Sequence, residues 1–239
     1  MALTIGCDPE VFIFDTSTNK YISAHGLFPG TKKFPFPIPH GAVQVDGNAL
    51  EFNIDPASTE DEFVNNIASV MSVLGRMVKD VNPNFVIRLE PIAEFDPEDF
   101  DKLPMEAKIL GCDPDFNPSN GHPIRGPNIT NVPIRTGSGH IHIGYCHGNP
   151  FDKQGFMERM MVAEKITPHL LEKAKGWETE SSNERRKYYG AKNACRPKPY
   201  GVELRALDNL WLKSEETIRE VYRTTVEAFS SLGIQESQE

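Results

Sequence analysis

Gly139-His140-Ile141-His142-Ile143-Gly144 is the stretch on which the reading of this chain turns. Successive side chains of a β-strand point to opposite faces, so a strand here sends both histidines one way and both isoleucines the other. One face is polar and the other belongs to a core. A single histidine on a sheet is more often a satisfied structural residue, but two aligned imidazoles on a half-buried strand fit metal ligation. Gly137, Gly139 and Gly144 let other backbone approach closely.

Three further segments repeat the device. In Gly201-Val202-Glu203-Leu204-Arg205 a carboxylate and a guanidinium share one face while Val202 and Leu204 take the other. On its own this segment is equally a structural ion pair. In Gly6-Cys7-Asp8-Pro9-Glu10 two acids precede the apolar run Val11 to Phe14, and between Gln44 and Ile54 the side chains of Glu51 and Asn53 oppose Leu50, Phe52 and Ile54. An acid flanked by Leu50 and Phe52 is expected to point into a polar cavity, since unpaired burial of its charge is costly. Asp8, Glu10, Glu51, His140, His142 and Glu203 are therefore expected to converge from four strands on one concave face. Carboxylates gathered in this way repel one another unless divalent cations or arginines neutralise them. Oxygen-rich ligation with one imidazole tolerated favours Mg2+ or Mn2+ over a sulfur-rich zinc site.

Cations are gathered ahead of the last strand: Arg185, Arg186 and Arg196, then Arg205, with Lys187, Lys192 and Lys198 among them. Clustered arginine beside a bound metal suits phosphate oxygens. A solvated basic loop is the plainer explanation for the lysines. The segment from Phe28 to Gly41, with four prolines and the pair Lys32-Lys33, is expected to be a rigid crossover without helix, either solvated or covering a phosphate.

Over its 239 residues the chain has 38% apolar and 25% charged side chains, which suits a globular protein with a sizeable core and excludes general disorder. We expect a single domain over 1–239, with residues 235–239 as a frayed tail. A formal charge of −9 argues against broad nucleic-acid binding, and no apolar run or leader suggests a membrane, so a cytoplasmic protein is expected. Cys7, Cys112, Cys146 and Cys195 form no CxxC pair and read as free thiols. The nearest thing to a repeat sets Ile5 to Glu10 beside Leu110 to Asp115.

Apolar spacing predicts a helix from Thr59, capped by Thr59 and Glu62, and another from Asp152 to Lys175 that Pro168 kinks or divides. A third follows the cap Ser214. Strands are predicted at 11–14, 43–54, 85–89, 134–145 and 202–207, a loop or short helix at 94–101, and loop over 111–135. Strands interleaved irregularly with a few helices make an α+β domain, its mostly antiparallel sheet covered by helices on one face with the active site on the other.

Taken in order, these segments resemble the glutamine synthetase superfamily, and more narrowly the phage-encoded carboxylate-amine ligases of its type-2 group. The resemblance is carried by Asp8-Pro9-Glu10 before an aromatic run, by Gly137-Ser138-Gly139-His140-Ile141-His142 and by Glu203-Leu204-Arg205. It extends to Arg185-Arg186-Lys187-Tyr188-Tyr189-Gly190, Arg196-Pro197-Lys198-Pro199-Tyr200-Gly201 and Asn209-Leu210-Trp211. It implies an ATP-dependent ligase with a glutamine synthetase-like catalytic domain, joining small-molecule or peptide carboxylates to amines, and a possible homo-oligomer. Asp8, Glu10, Glu51, His140 and Glu203 would hold the metal, with Asp46 as a weaker candidate. His142, Arg205, Arg196 and Arg185 would act on the reacting groups, and Arg186, Lys198 and Lys32 on the nucleotide. Asp8 is one methylene shorter than the usual glutamate, and Glu164-Lys165 departs from an Asp-containing stretch. The competing readings are a metal-dependent hydrolase built on the HxH strand and an inactive binding protein of the same fold.

Overall fold

The computed structural model describes residues 2–108, 115–124 and 131–234. The N-terminal part runs β1 (Thr4–Cys7), β2 (Glu10–Asp15), β3 (Lys20–Ile22), β4 (Phe36–Ile38), β5 (Gly41–Asp46) and β6 (Ala49–Ile54) into helix α1 (Glu60–Val81). Then come β7 (Phe85–Arg88), β8 (Ile92–Glu94) and the short helices α2 (Pro97–Asp101) and α3 (Met105–Lys108). Strands β9 (Asp115–Asn117), β10 (His122–Ile124), β11 (Ile134–Thr136) and β12 (Ile141–Gly144) lead to α4 (Lys153–Ala174) and α5 (Glu180–Arg185). The chain closes with β13 (Cys195–Lys198), β14 (Gly201–Leu204), a 3-10 turn over Asn209–Lys213 and α6 (Glu215–Ser230).

The protein is α+β, and its named strands pair antiparallel. One sheet has the order β1-β12-β14-β13-β9-β10 and the other β3-β2-β6-β5-β4, with β7 also on β2 and β8 and β11 forming a separate ribbon. Reciprocal backbone bonds of 2.8 Å between Ile5 and Ala57 join the sheets, as does the Glu10 N–H donating to the Ser138 carbonyl. Along β2, β6, β12 and β14 alternate residues (Val11 and Ile13, Leu50 and Phe52, Ile141 and Ile143, Val202 and Leu204) enter one shared core. Phe63, Ile67 and Leu74 of α1, Ile166 and Leu170 of α4, and Val221 and Phe229 of α6 close it, with α6 packed against both α1 and α4. The polar residues of those strands are thereby turned to the face without these helices.

The helix starts follow the sequence. Thr59 Oγ1 accepts from the Glu62 N–H at 3.2 Å, Asp152 from Gly155 at 2.8 Å and Ser214 from Thr217 at 3.2 Å. The capping box differs from expectation by one residue, because the Glu62 carboxylate accepts from Ser58 instead of Thr59. Pro168 does not divide α4: it and Glu164 lie on the exposed side, where the carbonyl that loses its donor is open to water.

The strand expected over 134–145 is two strands in different sheets, broken at Gly137-Ser138-Gly139. A Cβ on Gly139 would stand 2.2 Å from the Asp208 carbonyl oxygen, and one on Gly137 2.3 Å from that of Glu90, so only glycine lets the chain cross here. The last strand stops at Leu204, leaving Arg205 just beyond it. Within the expected loop over 111–135, β9 pairs with β10 and β11 with β8, and within the proline-rich crossover β4 pairs with β5. Cys112, residues 110–114 of the suggested repeat and the tail 235–239 lie outside the described residues. Cys7, Cys146 and Cys195 are free thiols.

Candidate metal centre

Strand register assembles the site. His142 pairs with Gly6 on one side and Glu203 on the other, and Glu203 pairs in turn with Arg196 of β13. The period of two that places Ile143 and Val202 in the core lines these polar groups along the opposite face. Asp8 follows β1, His140 precedes β12 and Arg205 follows β14, so they extend the same face by one residue.

Three ligand types meet there. Asp8 Oδ1 lies 2.9 Å from His142 Nε2 and 3.1 Å from His140 Nδ1, and His140 Nδ1 lies 3.3 Å from Glu203 Oε1. One oxygen or nitrogen from each of Asp8, His142 and Glu203 falls within 4.8 Å of the others, the spacing of a cation site. The expectation gave His140 to the metal and His142 to substrate; in the structure both imidazoles reach Asp8, and it is His142 that completes this trio. His142 is fixed from behind by a close contact between its Nδ1 and the Tyr200 hydroxyl.

Cations crowd the far side of Glu203, which is fully buried. Lys198 Nζ lies 2.7 Å from its Oε2, and Arg205 Nη1 pairs with Oε1. Arg205 Nε also pairs with Asp115 Oδ1 at 2.6 Å, and Arg196 Nη2 with the same oxygen at 3.3 Å. The Tyr189 ring lies under both Arg205 and Arg185, 5.3 and 5.5 Å from ring centre to guanidinium carbon, and 6.0 Å from the His140 ring.

No protein-family model matches this chain, and no curated protein matches it. The chemistry of the site therefore rests on its own geometry. Burial, reinforced by Arg205, holds His140 well below its ordinary range, which keeps the ring neutral and able to ligate. Burial and the charge of Asp8 push Glu203 up. Burial also opposes ionisation of Asp8, but the two histidines outweigh it and hold that carboxyl well below the usual range. His140 Nε2 is buried with no hydrogen-bond partner among the described residues, while His142 Nε2 and both Glu203 oxygens meet charged groups, Asp8, Lys198 and Arg205, at ion-pair distance. A buried nitrogen is normally satisfied, and a divalent cation is what His140 Nε2 and the grouped carboxylates and imidazole beside it would accept together. The donor set of two carboxylates and two imidazoles fits one.

A second carboxylate group, Glu10, Asp46 and Glu51, gathers beside the first. Glu10 and Glu51 are direct partners across β2 and β6, and Asp46 comes from the end of β5. Burial and then the charges of Asp8, Asp46 and Glu10 push Glu51 well up. Arg135, missed in the sequence because it reads as an ordinary strand residue, enters this group, with Nη2 2.8 Å from Glu10 and 3.0 Å from Asp46.

The other candidates divide. Lys198, Arg196 and Arg205 lie at the centre. Arg185 is buried behind it, where Nη2 donates to Ser138 Oγ at 3.1 Å and Nη1 to the Ala206 carbonyl at 3.3 Å. Burial pulls its guanidinium down to about 10, still charged at neutral pH. It braces the Gly137–Gly139 crossing instead of presenting itself to a ligand. Arg186 turns away to Glu178 and Asn183, and lines a separate cleft of about 560 Å³ with Leu171, Lys175 and Lys192. Lys32 stands exposed in the Thr31–Phe34 turn. The structure brings neither to the metal centre. Asp115 and Tyr200, like Arg135, were not expected at the site; their only signal was a place within the segments Leu110 to Asp115 and Arg196 to Gly201.

Proposed function

We propose that this chain is a glutamine synthetase-like amidoligase that uses ATP and a divalent cation, Mg2+ or Mn2+, to join a carboxylate to an amine. The observation that carries the reading is the single polar face on which the metal-type donors of Asp8, His140, His142 and Glu203 adjoin Arg205, Arg196 and Lys198. Anionic ligands alone would suit a cation store, and cations alone an anion store. Their juxtaposition suits a metal-bound polyphosphate.

The cation would be held by Asp8, Glu203 and the histidines, and when bound it supplies charge neutralisation at phosphate oxygens. The chain's own groups do the rest. Arg205 and Arg196, tethered by Asp115, present fixed positive charge where the transferring phosphoryl group carries most negative charge, and Lys198 adds a third cation. The substrate carboxylate takes the γ-phosphoryl group of ATP and ADP leaves. The resulting acyl phosphate is attacked by the amine, an amide forms and phosphate departs. No covalent nucleophile on the protein is required, in keeping with Cys7 and Cys195, buried and raised above the ordinary thiol range by that burial.

A hydrolase reading is favoured by one observation, that both imidazoles reach Asp8, a donor set that would also suit a divalent ion used for hydrolysis. Nucleotide dependence separates the two. With ATP, Mg2+ or Mn2+, hydroxylamine as a generic amine and a panel of carboxylates, the ligase reading requires hydroxamate and phosphate in equal amounts from wild type and neither from Glu203→Ala or Arg205→Ala. Cleavage of amides or esters without ATP would establish the hydrolase instead.

A further inference from the structure

The two carboxylate groups differ in the donors they offer a cation: two imidazoles join the carboxylates of the first, and the second is carboxylate alone. Glu10 has both committed: Oε1 accepts from Arg135 Nη2 at 2.8 Å and Oε2 from the Ser138 backbone N–H at 3.0 Å. The same Nη2 reaches Asp46 Oδ2 at 3.0 Å. Glu203 also meets cations, Lys198 at 2.7 Å and Arg205, but its group has the imidazoles of His140 and His142 beside it. Arg135 is itself 5% exposed, and the turn after β5 closes over it: Gly47 has φ +59°, and a Cβ there would lie 3.0 Å from Arg135 Nη1. Ser138, which serves Glu10, is held in turn by Arg185. The guanidinium sits in a seat built from three segments of the chain.

We propose that Arg135 is the resident cation of the Glu10–Asp46–Glu51 group, so that the protein binds one divalent ion, at Asp8, the histidines and Glu203, and not two. This rests on the metal reading of the first group given above and extends it to the number of ions. A divalent ion entering the second group would compete with Arg135 for Glu10 and Asp46. A guanidinium does not give up its proton to make room. It would have to leave its seat as a buried charge without a partner, beside a newly bound dication. The charge a second ion would supply is thus covalently attached to β11 and independent of metal concentration. Glu10 and Glu51, expected as metal ligands, become the anionic seat of an arginine.

Equilibrium dialysis of the full chain against Mn2+, with elemental analysis and the spin-resonance signal of free Mn2+, tests this. Wild type should retain one ion per chain and Glu203→Gln none. Arg135→Gln, its folding checked by circular dichroism, should gain a second ion that is lost again when Glu51→Gln is added; Arg135→Lys should keep one. Two ions on wild type, falling to one in Asp46→Asn, would overturn the proposal and leave the metal reading of the first group standing. No Mn2+ on wild type would remove both. If Arg135→Gln does not fold, wild type and Asp46→Asn decide alone: one ion on each supports the proposal, and two falling to one overturns it.

Discussion

Asp115→Asn probes how the phosphate-directed arginines are held. Asp115 Oδ1 is shared by Arg205 Nε at 2.6 Å and Arg196 Nη2 at 3.3 Å, and the residue is buried. Asparagine keeps the shape and one acceptor but removes the charge both guanidiniums share. A hydrogen bond to a charged partner is worth about 1.5–3 kcal/mol. Losing that much of the preorganisation of Arg205 predicts a fall in kcat/KM for ATP of roughly 10- to 100-fold, at about 1.4 kcal/mol per decade. In a chain of this size the same loss lowers Tm by about 3–12 °C. The assay is ATP turnover at saturating metal, paired with thermal unfolding of the same preparations. Unchanged Tm and unchanged turnover together would refute the claim that Asp115 tethers these arginines.

Other predictions come from the scaffold. Gly139→Ala forces a Cβ to 2.2 Å from the Asp208 oxygen and 2.4 Å from Trp211 Nε1, whose N–H donates to the Gly139 carbonyl, and should cost about 1–3 kcal/mol in urea unfolding. Gly75→Ala, in α1 with nothing among the described residues within 4 Å of the added carbon, should stabilise by about 0.5–1 kcal/mol. Glu60 accepts from Arg223 and Arg219, which hold its carboxyl down at about 2. Because its folded value lies below its ordinary one, the stability it lends is present above about pH 4.5 and lost as pH falls towards 2, so Glu60→Gln should flatten that part of the acid limb. Saturating Mn2+ at about 100 times its Kd should add about 2.7 kcal/mol of stability to wild type and none to Glu203→Gln, measured by thermal shift.

Much of the site was legible because strands write their faces at a period of two. His140 and His142 against Ile141 and Ile143, and Glu203 against Val202 and Leu204, needed only alternation and one buried side. Helix starts at Thr59, Asp152 and Ser214 were legible because a capping oxygen acts within three residues. What alternation cannot show is where a strand changes sheet. The break at Gly137-Ser138-Gly139 exists because Asn209 and Trp211, distant in sequence, bond to Glu10 and Gly139 across it. Arg185 and Arg186 were both expected at the site, yet adjacent residues at a helix end point about 100° apart, so one goes inward to Ser138 and the other out to Glu178. Nothing in the residues around Arg135 and Asp115 pointed to their roles, because their partners arrive only through tertiary pairing.

The most direct test of the central claim follows one oxygen atom. With the carboxylate substrate labelled in heavy oxygen and ATP unlabelled, carboxylate activation by phosphoryl transfer predicts that the phosphate released on amide formation carries one labelled oxygen, read by mass spectrometry. Phosphate free of label, with amide or hydroxamate still forming, would contradict an acyl phosphate and with it the proposed reaction.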